Sequence, residues 1–387
     1  MKVAHIITGL GAGGAQEALL KLVGSADDGR IDHTIVSLID EGLHGTRLRT
    51  LGVPLHALGM RPGVPSPIKF LTLVRLLQRL QPDVVQTWMY HADLFGGLAA
   101  RAARTPALLW SIRHGNLDPA ANKASTLRVA KICARLSSRM PDRILSVSHA
   151  AARTHAAVGY DAMKLVVIPN GIDCERFAPD AESRARLRAE WGIGETTPLV
   201  GLFSRWDPQK DHANFAAAAE ELARARPDVR FALAGEGIDA GNSALCTALT
   251  GAGLTIGGPG VHLARQVLLL GRRDDMPALC SAIDVLASSS CGEGFPNVVA
   301  EAMSSETPCV VTDVGDSAEI VGRYGAVVAP RDAAALARAL AHMLALPAKD
   351  FAAIGRAARQ SIRERFSIDS VRERYIALYR EILAQQR

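Results

Sequence analysis

Two short stretches in the second half of the chain combine cations, carboxylates and unpaired amides in a way that suits a phosphorylated ligand. The first is Ser204-Arg-Trp-Asp-Pro-Gln-Lys210, which follows the apolar run Leu199–Phe203 and precedes a helical pattern from about Asp211. Arg205 and Lys210 have four residues between them, a proline turn included, so both can face one crevice. A guanidinium offers a planar fork of donors and an ammonium a compact charge, a combination that holds a diphosphate and stabilises it as a leaving group. Taken alone the pair is also consistent with ordinary basic loop decoration. The second stretch is Glu293-Gly-Phe-Pro-Asn-Val-Val-Ala-Glu301. Pro296 fits the first turn of a helix, where its missing N–H costs nothing. Glu293 then precedes the helix and Glu301 lies on its second turn, while the amides around Phe295, Asn297 and Val298 form an anion site. Carboxylates accept hydrogen bonds from hydroxyls, so two of them bracketing an anion site suit a sugar on one side and a ribose on the other. The plain alternative is a loop acid and a solvated helix charge.

A third candidate opens the chain. Gly9-Leu-Gly-Ala-Gly-Gly14 lies between a strand pattern and a helix pattern and satisfies G-x-G-x-x-G, with Asp40 at the end of the second strand. Glycines there let backbone amides approach a phosphate. They do not say whether the phosphate belongs to a dinucleotide or to a nucleotide sugar, and a tight turn without a ligand fits as well.

These loops need strands and helices to hold them. Strands are expected at Val3–Thr8, His33–Leu38, Val84–Gln86, Leu108–Ser111, Ile144–Val147 and Leu165–Ile168, with helices such as Gln16–Val23, Ile68–Leu80, Ala92–Ala103 and Ser125–Ser138 between them. The second half repeats the alternation with Leu199–Phe203, Arg230–Ala234, Val267–Leu270, Val285–Ala287 and Cys309–Thr312. Strands separated by helices imply parallel sheets, here two doubly wound α/β domains with ligand loops at the carboxyl ends of their strands. The expected division is 1–172 for the first domain, 173–195 for a linker, 196–365 for the second domain and 366–387 for a helix returning to the first. Gly251–Gly260 reads as a surface loop because half its residues are glycine.

Composition narrows the function. A chain of 387 residues with 48% apolar and 21% charged residues is globular and of two-domain size. Aromatics at 5% are too few for a broad stacking surface, which argues against a nucleic-acid partner. Six scattered cysteines without a CxxC pair read as buried thiols of a reducing compartment. No secretory signal or run long enough to span a bilayer is expected, and the chain is read as cytoplasmic. No Asp-x-Asp occurs, so the usual carboxylate handle for a divalent cation on a diphosphate is missing; neither a metal nor another cofactor is expected. The formal charge divides unevenly, +9 over residues 1–172 and −4 over the remainder, so the first domain seeks the anionic partner.

Glu293-x7-Glu301, Arg205-x4-Lys210, the Gly11–Gly14 loop and Val167-Ile-Pro-Asn-Gly-Ile-Asp173 together resemble the retaining GT-B glycosyltransferases of family 4, more narrowly those that build O-antigen, capsule and exopolysaccharide units. The likeness extends through Gly271-Arg-Arg-Asp-Asp275 and Thr312-Asp-Val-Gly315. It implies two Rossmann-like domains facing across a cleft, and sugar transfer from a nucleotide-diphosphate sugar, with a lean towards UDP, to a hydroxyl of a lipid-linked glycan. Glu293 would hold the donor sugar and Glu301 the ribose. Arg205 and Lys210 would bind the diphosphate with the amides of Phe295, Pro296-Asn297 and Val298 and with Gly13 and Gly14. Backbone near Arg273 would meet the base. His114, in Ser111-Ile-Arg-His-Gly115, matches a histidine placed beside donor and acceptor, and Arg113 would be a further anion ligand. The sequence departs from the family between Gly235-Glu-Gly237 and Arg272, where the spacer is longer and richer in glycine. An NAD-dependent oxidoreductase and a non-catalytic nucleotide-sugar binder are the competing readings.

One more pattern concerns the acceptor side. Arg128, Lys131, Arg135 and Arg139 recur at helical spacing over 125–139, with Leu127, Ala130 and Ala134 close to the stripe. This face either docks on an anionic cytoplasmic leaflet or is simply solvated.

Overall fold

The computed structural model describes the chain except for Ala12, 25–28, 62–63, Pro65, 120–121, 258–265 and Arg387. It forms two units, Met1–Gly171 joined by the segment from Ile368 onward, and Ile172–Ser367. The first contains a sheet of β1 (Lys2–Ile7), β2 (Asp32–Ser37), β3 (Leu55–Ala57), β4 (Val84–Trp88), β5 (Ala107–Ile112), β6 (Arg143–Ser146) and β7 (Leu165–Val167), in the order β3-β2-β1-β4-β5-β6-β7. The second contains β8 (Leu199–Phe203), β9 (Arg230–Ala234), β10 (Thr255–Gly257), β11 (Gln266–Leu269), β12 (Val285–Ser288), β13 (Cys309–Thr312) and β14 (Ala326–Val328), in the order β10-β11-β9-β8-β12-β13-β14. The pairings are parallel in both sheets. Central strands such as β4, β5 and β8 are buried along their whole length, as strands covered by helices on both faces must be. Each sheet reverses its order beside its first strand, between β1 and β4 and between β8 and β12, and these are the crevices where doubly wound sheets take ligands.

The helix Ile368–Ala384 belongs to the first unit, where Val371, Tyr375, Ile376, Tyr379 and Ile382 join Val3, Ile7 and Trp88 in one core. The Tyr379 hydroxyl donates to Gln86, whose amide donates to Ser111 at 2.8 Å. Residues 173–195, expected as a linker, are instead part of the second unit. Helix Ala181–Glu190 carries Arg188, only 1% exposed, whose guanidinium donates to the Gly194, Thr197 and Ala282 carbonyls and lies 3.5 Å from Asp284. A run that looks polar in sequence is therefore fastened by buried charge rather than left free. Gly251–Gly260 is also corrected in part. Thr255–Gly257 pairs with β11, and 258–260 fall outside the described residues.

Candidate active site

In the second unit the loops after β8 and β12 are drawn together across the sheet's reversal point. Pro208–Lys210 forms a single 3₁₀ turn capped by Asp207, and the Asp211 side chain caps the helix His212–Ala225. Cys291 N donates to the Gln209 carbonyl and the Ser289 hydroxyl to the Lys210 carbonyl, both at 2.8 Å. Lys210 is thereby aimed at Glu293, with Nζ and Oε1 2.5 Å apart, and the Ser290 hydroxyl donates to the same oxygen at 2.8 Å. The two side chains are 18% and 12% exposed, so the pair is largely shielded from water yet open at one edge.

The backbone around Glu293 is set from a third loop. Gly315 has φ +61°, and a Cβ there would fall 2.5 Å from the Gly294 carbonyl oxygen, so only glycine lets the β13 loop press on this turn. The Asp316 amide donates to the same carbonyl at 3.0 Å. Helix Asn297–Ser304 follows, with Pro296 as its cap rather than in its first turn. The Phe295 ring is buried edge-on against Phe366, which leaves its backbone amide, beside those of half-buried Asn297 and Val298, as the part able to meet a ligand. Glu301 lies half-buried on the second turn.

Arg205 is placed differently from Lys210. Its guanidinium is 62% exposed and pairs with Asp207 of its own loop at 2.9 Å, apart from the more buried Lys210–Glu293 pair. Arg273 likewise pairs with Asp275 at 2.6 Å, which leaves its loop backbone as the available surface.

In the first unit, Gly13 immediately precedes helix Gly14–Gly24 and its carbonyl accepts from Glu17 N at 3.0 Å. The Gln16 amide crosses in front of this turn to reach the Gly9 carbonyl at 3.0 Å, and a Cβ on Gly13 would fall 2.5 Å from Gln16 Oε1. The loop after β5 carries Arg113 and His114. Arg113, expected as an anion ligand, is used inside the domain. It donates to Asn170 at 2.9 Å and to the Tyr375 hydroxyl, and its guanidinium lies 4.4 Å from the Trp88 ring centroid. Nothing in the sequence distinguishes such a structural arginine from a ligand. His114 is half-buried, and burial lowers its pKa, so it presents a neutral imidazole.

Sequence reasoning missed several groups here. His91 sits at the start of helix Tyr90–Ala102, after the β4 end that hydrogen-bonds to β5 through Met89 N and the Ser111 carbonyl. It too is half-buried with a pKa lowered by burial. Its signal is a histidine just past a strand, which the expected strand Val84–Gln86 and helix Ala92–Ala103 leave between elements, whereas the strand runs to Trp88 and the helix starts at Tyr90. Deeper in, Tyr90 donates to His155 Nε2 at 2.6 Å, and burial pushes His155 down to about 4. Asp93 is fully buried and accepts from the Thr87 hydroxyl at 2.5 Å, and burial pushes it up to about 7.

The comparisons with known proteins agree with this layout. Residues 12–176 match the family described as Glycosyltransferase Family 4, and residues 197–345 match Glycosyl transferases group 1. A UDP-Gal:alpha-D-GlcNAc-diphosphoundecaprenol alpha-1,3-galactosyltransferase of Escherichia coli is 28% identical over 247 residues, which span 63% of this chain and 61% of that protein. A GDP-mannose-dependent alpha-(1-6)-phosphatidylinositol monomannoside mannosyltransferase of Mycolicibacterium smegmatis is 30% identical over 320 residues, 76% of each chain. Among solved structures, Anabaena Alr3699/HepE in complex with UDP and glucose superposes with a TM-score of 0.80 at 22% identity, covering 98% of this chain and 100% of that one, a likeness of fold.

Proposed function

The chain belongs to the family 4 glycosyltransferases, with their two-domain GT-B fold, and we propose that it moves a sugar from a UDP-sugar to a hydroxyl of a lipid-linked glycan in cell-surface polysaccharide synthesis, with retention of configuration and without a metal. The observation that carries this reading is the Lys210–Glu293 pair at the reversal point of the second sheet, with the helix starting at Asn297 beside it. Glu293 orients the sugar hydroxyls, while Lys210, Arg205 and the helix amides take the diphosphate. The acceptor hydroxyl approaches the face from which the diphosphate departs, and its proton passes to the departing phosphate oxygen. Cationic side chains and amides supply the stabilisation that a divalent ion would otherwise give. The galactosyltransferase relative, named for a UDP-sugar and a diphosphoundecaprenol-linked acceptor, supports the donor and acceptor classes. The test is transfer from UDP-sugars and GDP-mannose in excess chelator, with the anomeric proton of the product read by NMR. Turnover should persist and the donor's configuration be kept. Loss of activity restored by magnesium or manganese would overturn the metal-free reading, and an inverted linkage would overturn retention.

The acceptor reading places the enzyme on the inner face of the cell membrane. No helix among the described residues is long and apolar enough to cross a membrane. Arg128, Lys131 and Arg135 are exposed on helix Ala124–Leu136, and Arg139 is exposed just beyond its end. Ala130 and Ala134, expected beside the stripe, are buried in the core instead. Exposed apolar surface comes from Leu98, at 44%, on the helix Tyr90–Ala102 that packs against Ala124–Leu136, and from Ile68 at 76% and Leu71 at 51% on the helix Pro67–Leu80 that packs against Tyr90–Ala102 in turn. Four basic residues at about 1 kcal/mol each near an anionic leaflet would give salt-reversible peripheral binding. The protein should sediment with anionic but not neutral vesicles at low salt, and the Arg128/Lys131/Arg135/Arg139→Glu variant should stay in the supernatant. Equal pelleting of both proteins would reduce the stripe to a solvated face.

A further inference from the structure

Of the four tryptophans, Trp88, Trp110 and Trp191 are 0%, 0% and 1% exposed, while Trp206 is 39% exposed. Trp206 directly follows Arg205 in the loop after β8. Its amide donates to the Glu236 carbonyl at 2.8 Å, which ties it to the loop after β9. Two glycines make this closure possible. A Cβ on Gly235 (φ +151°) would fall 2.0 Å from the Ser204 carbonyl oxygen, and one on Gly237 (φ +73°) would fall 3.0 Å from Trp206 Cβ. On its own side of the loop the indole lies against His212, with ring centroids 4.9 Å apart. The His212 pKa is pushed down to about 4 by burial and by Lys210, so the supporting ring is neutral.

Trp206 is therefore a fixed and partly exposed aromatic at the carboxyl edge of β8 and β9. Its place along the sheet says what would stack there. The strand order β11-β9-β8-β12 puts Glu293, after β12, on one side of the β8 loop that carries Lys210, and the β9 loop, to which Trp206 is tied, on the other. A nucleotide sugar is a linear molecule. With its sugar at Glu293 and its diphosphate at Lys210 and Arg205, its base extends towards β9 and β11. We propose that Trp206 is the stacking platform for the nucleobase of the donor, an inference that rests on the donor reading above. Stacking on an aromatic face accepts any base, so the indole would contribute affinity for the nucleoside end without choosing between uracil and guanine.

The burial of the other three tryptophans makes the test specific. Iodide quenching of the whole protein should report Trp206, and it is measured with and without UDP and GDP while calorimetry measures binding independently. The nucleotide that binds should shield the indole. Trp206→Leu, which keeps apolar volume without a π face, should bind that nucleotide about tenfold more weakly. Trp206→Phe should bind it nearly as the wild type does, and inorganic pyrophosphate should not distinguish the Leu variant from the wild type. Thermal unfolding of both variants checks that the loop still folds. Calorimetric binding with an unshielded indole, or unchanged nucleotide affinity in a folded Trp206→Leu protein, would overturn the platform alone. Failure of the wild type to bind either nucleotide would overturn the donor reading and the platform with it.

Discussion

Lys210→Ala and Glu293→Gln are each expected to slow sugar transfer by on the order of a hundredfold or more, about 2.7 kcal/mol of transition-state stabilisation. Negative charge grows on the diphosphate as the glycosidic bond breaks, and Lys210 is the cation that the fold holds rigidly, through Glu293 and the two hydrogen bonds that close its loop onto the β12 loop. Without the ammonium, Glu293 keeps the Ser290 hydroxyl as a partner, and it becomes an uncompensated carboxylate facing an anionic ligand. Glu293→Gln removes the charge from the other side and lets Lys210 drift. Because the two groups act through one contact, the double variant should cost less than the two single losses added. Glu301→Ala should differ in kind, raising KM with little change in kcat, since a ribose contact acts on ground and transition states alike. Steady-state kinetics on variants with wild-type unfolding curves checks this. Near-normal turnover in both Lys210→Ala and Glu293→Gln would remove the pair from the mechanism.

That pair was legible in the sequence because its chemistry rests on local spacing. A cation at the end of one strand loop and a carboxylate ahead of a proline-started helix point to the same crevice once the sheet order is parallel, but the direct Lys210–Glu293 contact, the pairing of Arg205 with Asp207 and the cap position of Pro296 show only in the fold. The buried strands were legible for the same reason, since β8, β9 and β13 are predominantly apolar runs. What escaped depends on partners distant in sequence. Strands β3, β10 and β14 have three residues each, too few to show alternation, and exist by pairing with longer neighbours. Arg188 and Arg113 look like any other arginine until Asp284, nearly a hundred residues away, or Tyr375, in the last helix, is brought alongside. Trp206 carries no signal in the sequence, because a single aromatic in a loop has no periodicity and its exposure is a property of the folded chain alone.

Asp93 is silent in the sequence for a related reason, its burial being set by the fold, and it supports the second large expectation. The carboxyl is fully buried, and although Thr87 and the Ser111 amide hydrogen-bond one oxygen, burial outweighs them and raises its pKa to about 7. Its other oxygen is buried with no partner among the described residues. In the unfolded chain the same group titrates near 3.8. Between about pH 4 and 7 the native state therefore holds a proton that the unfolded chain has released, so this group's contribution to stability falls as pH rises through that window and levels off above it. At 1.36 kcal/mol for each pH unit, the loss is on the order of 4 kcal/mol. Asp93→Asn cannot ionise, and any cost of its new amide is the same at every pH. The stability difference between variant and wild type, from urea unfolding at pH 4 and at pH 8, should therefore move in the variant's favour by that amount. His155 titrates in both proteins and cancels from the difference, although its own lowered pKa destabilises the fold as pH falls from about 6.5 towards 4. A difference that does not change with pH would mean that Asp93 is already ionised in the native protein, held by its hydrogen bonds against the burial that opposes it.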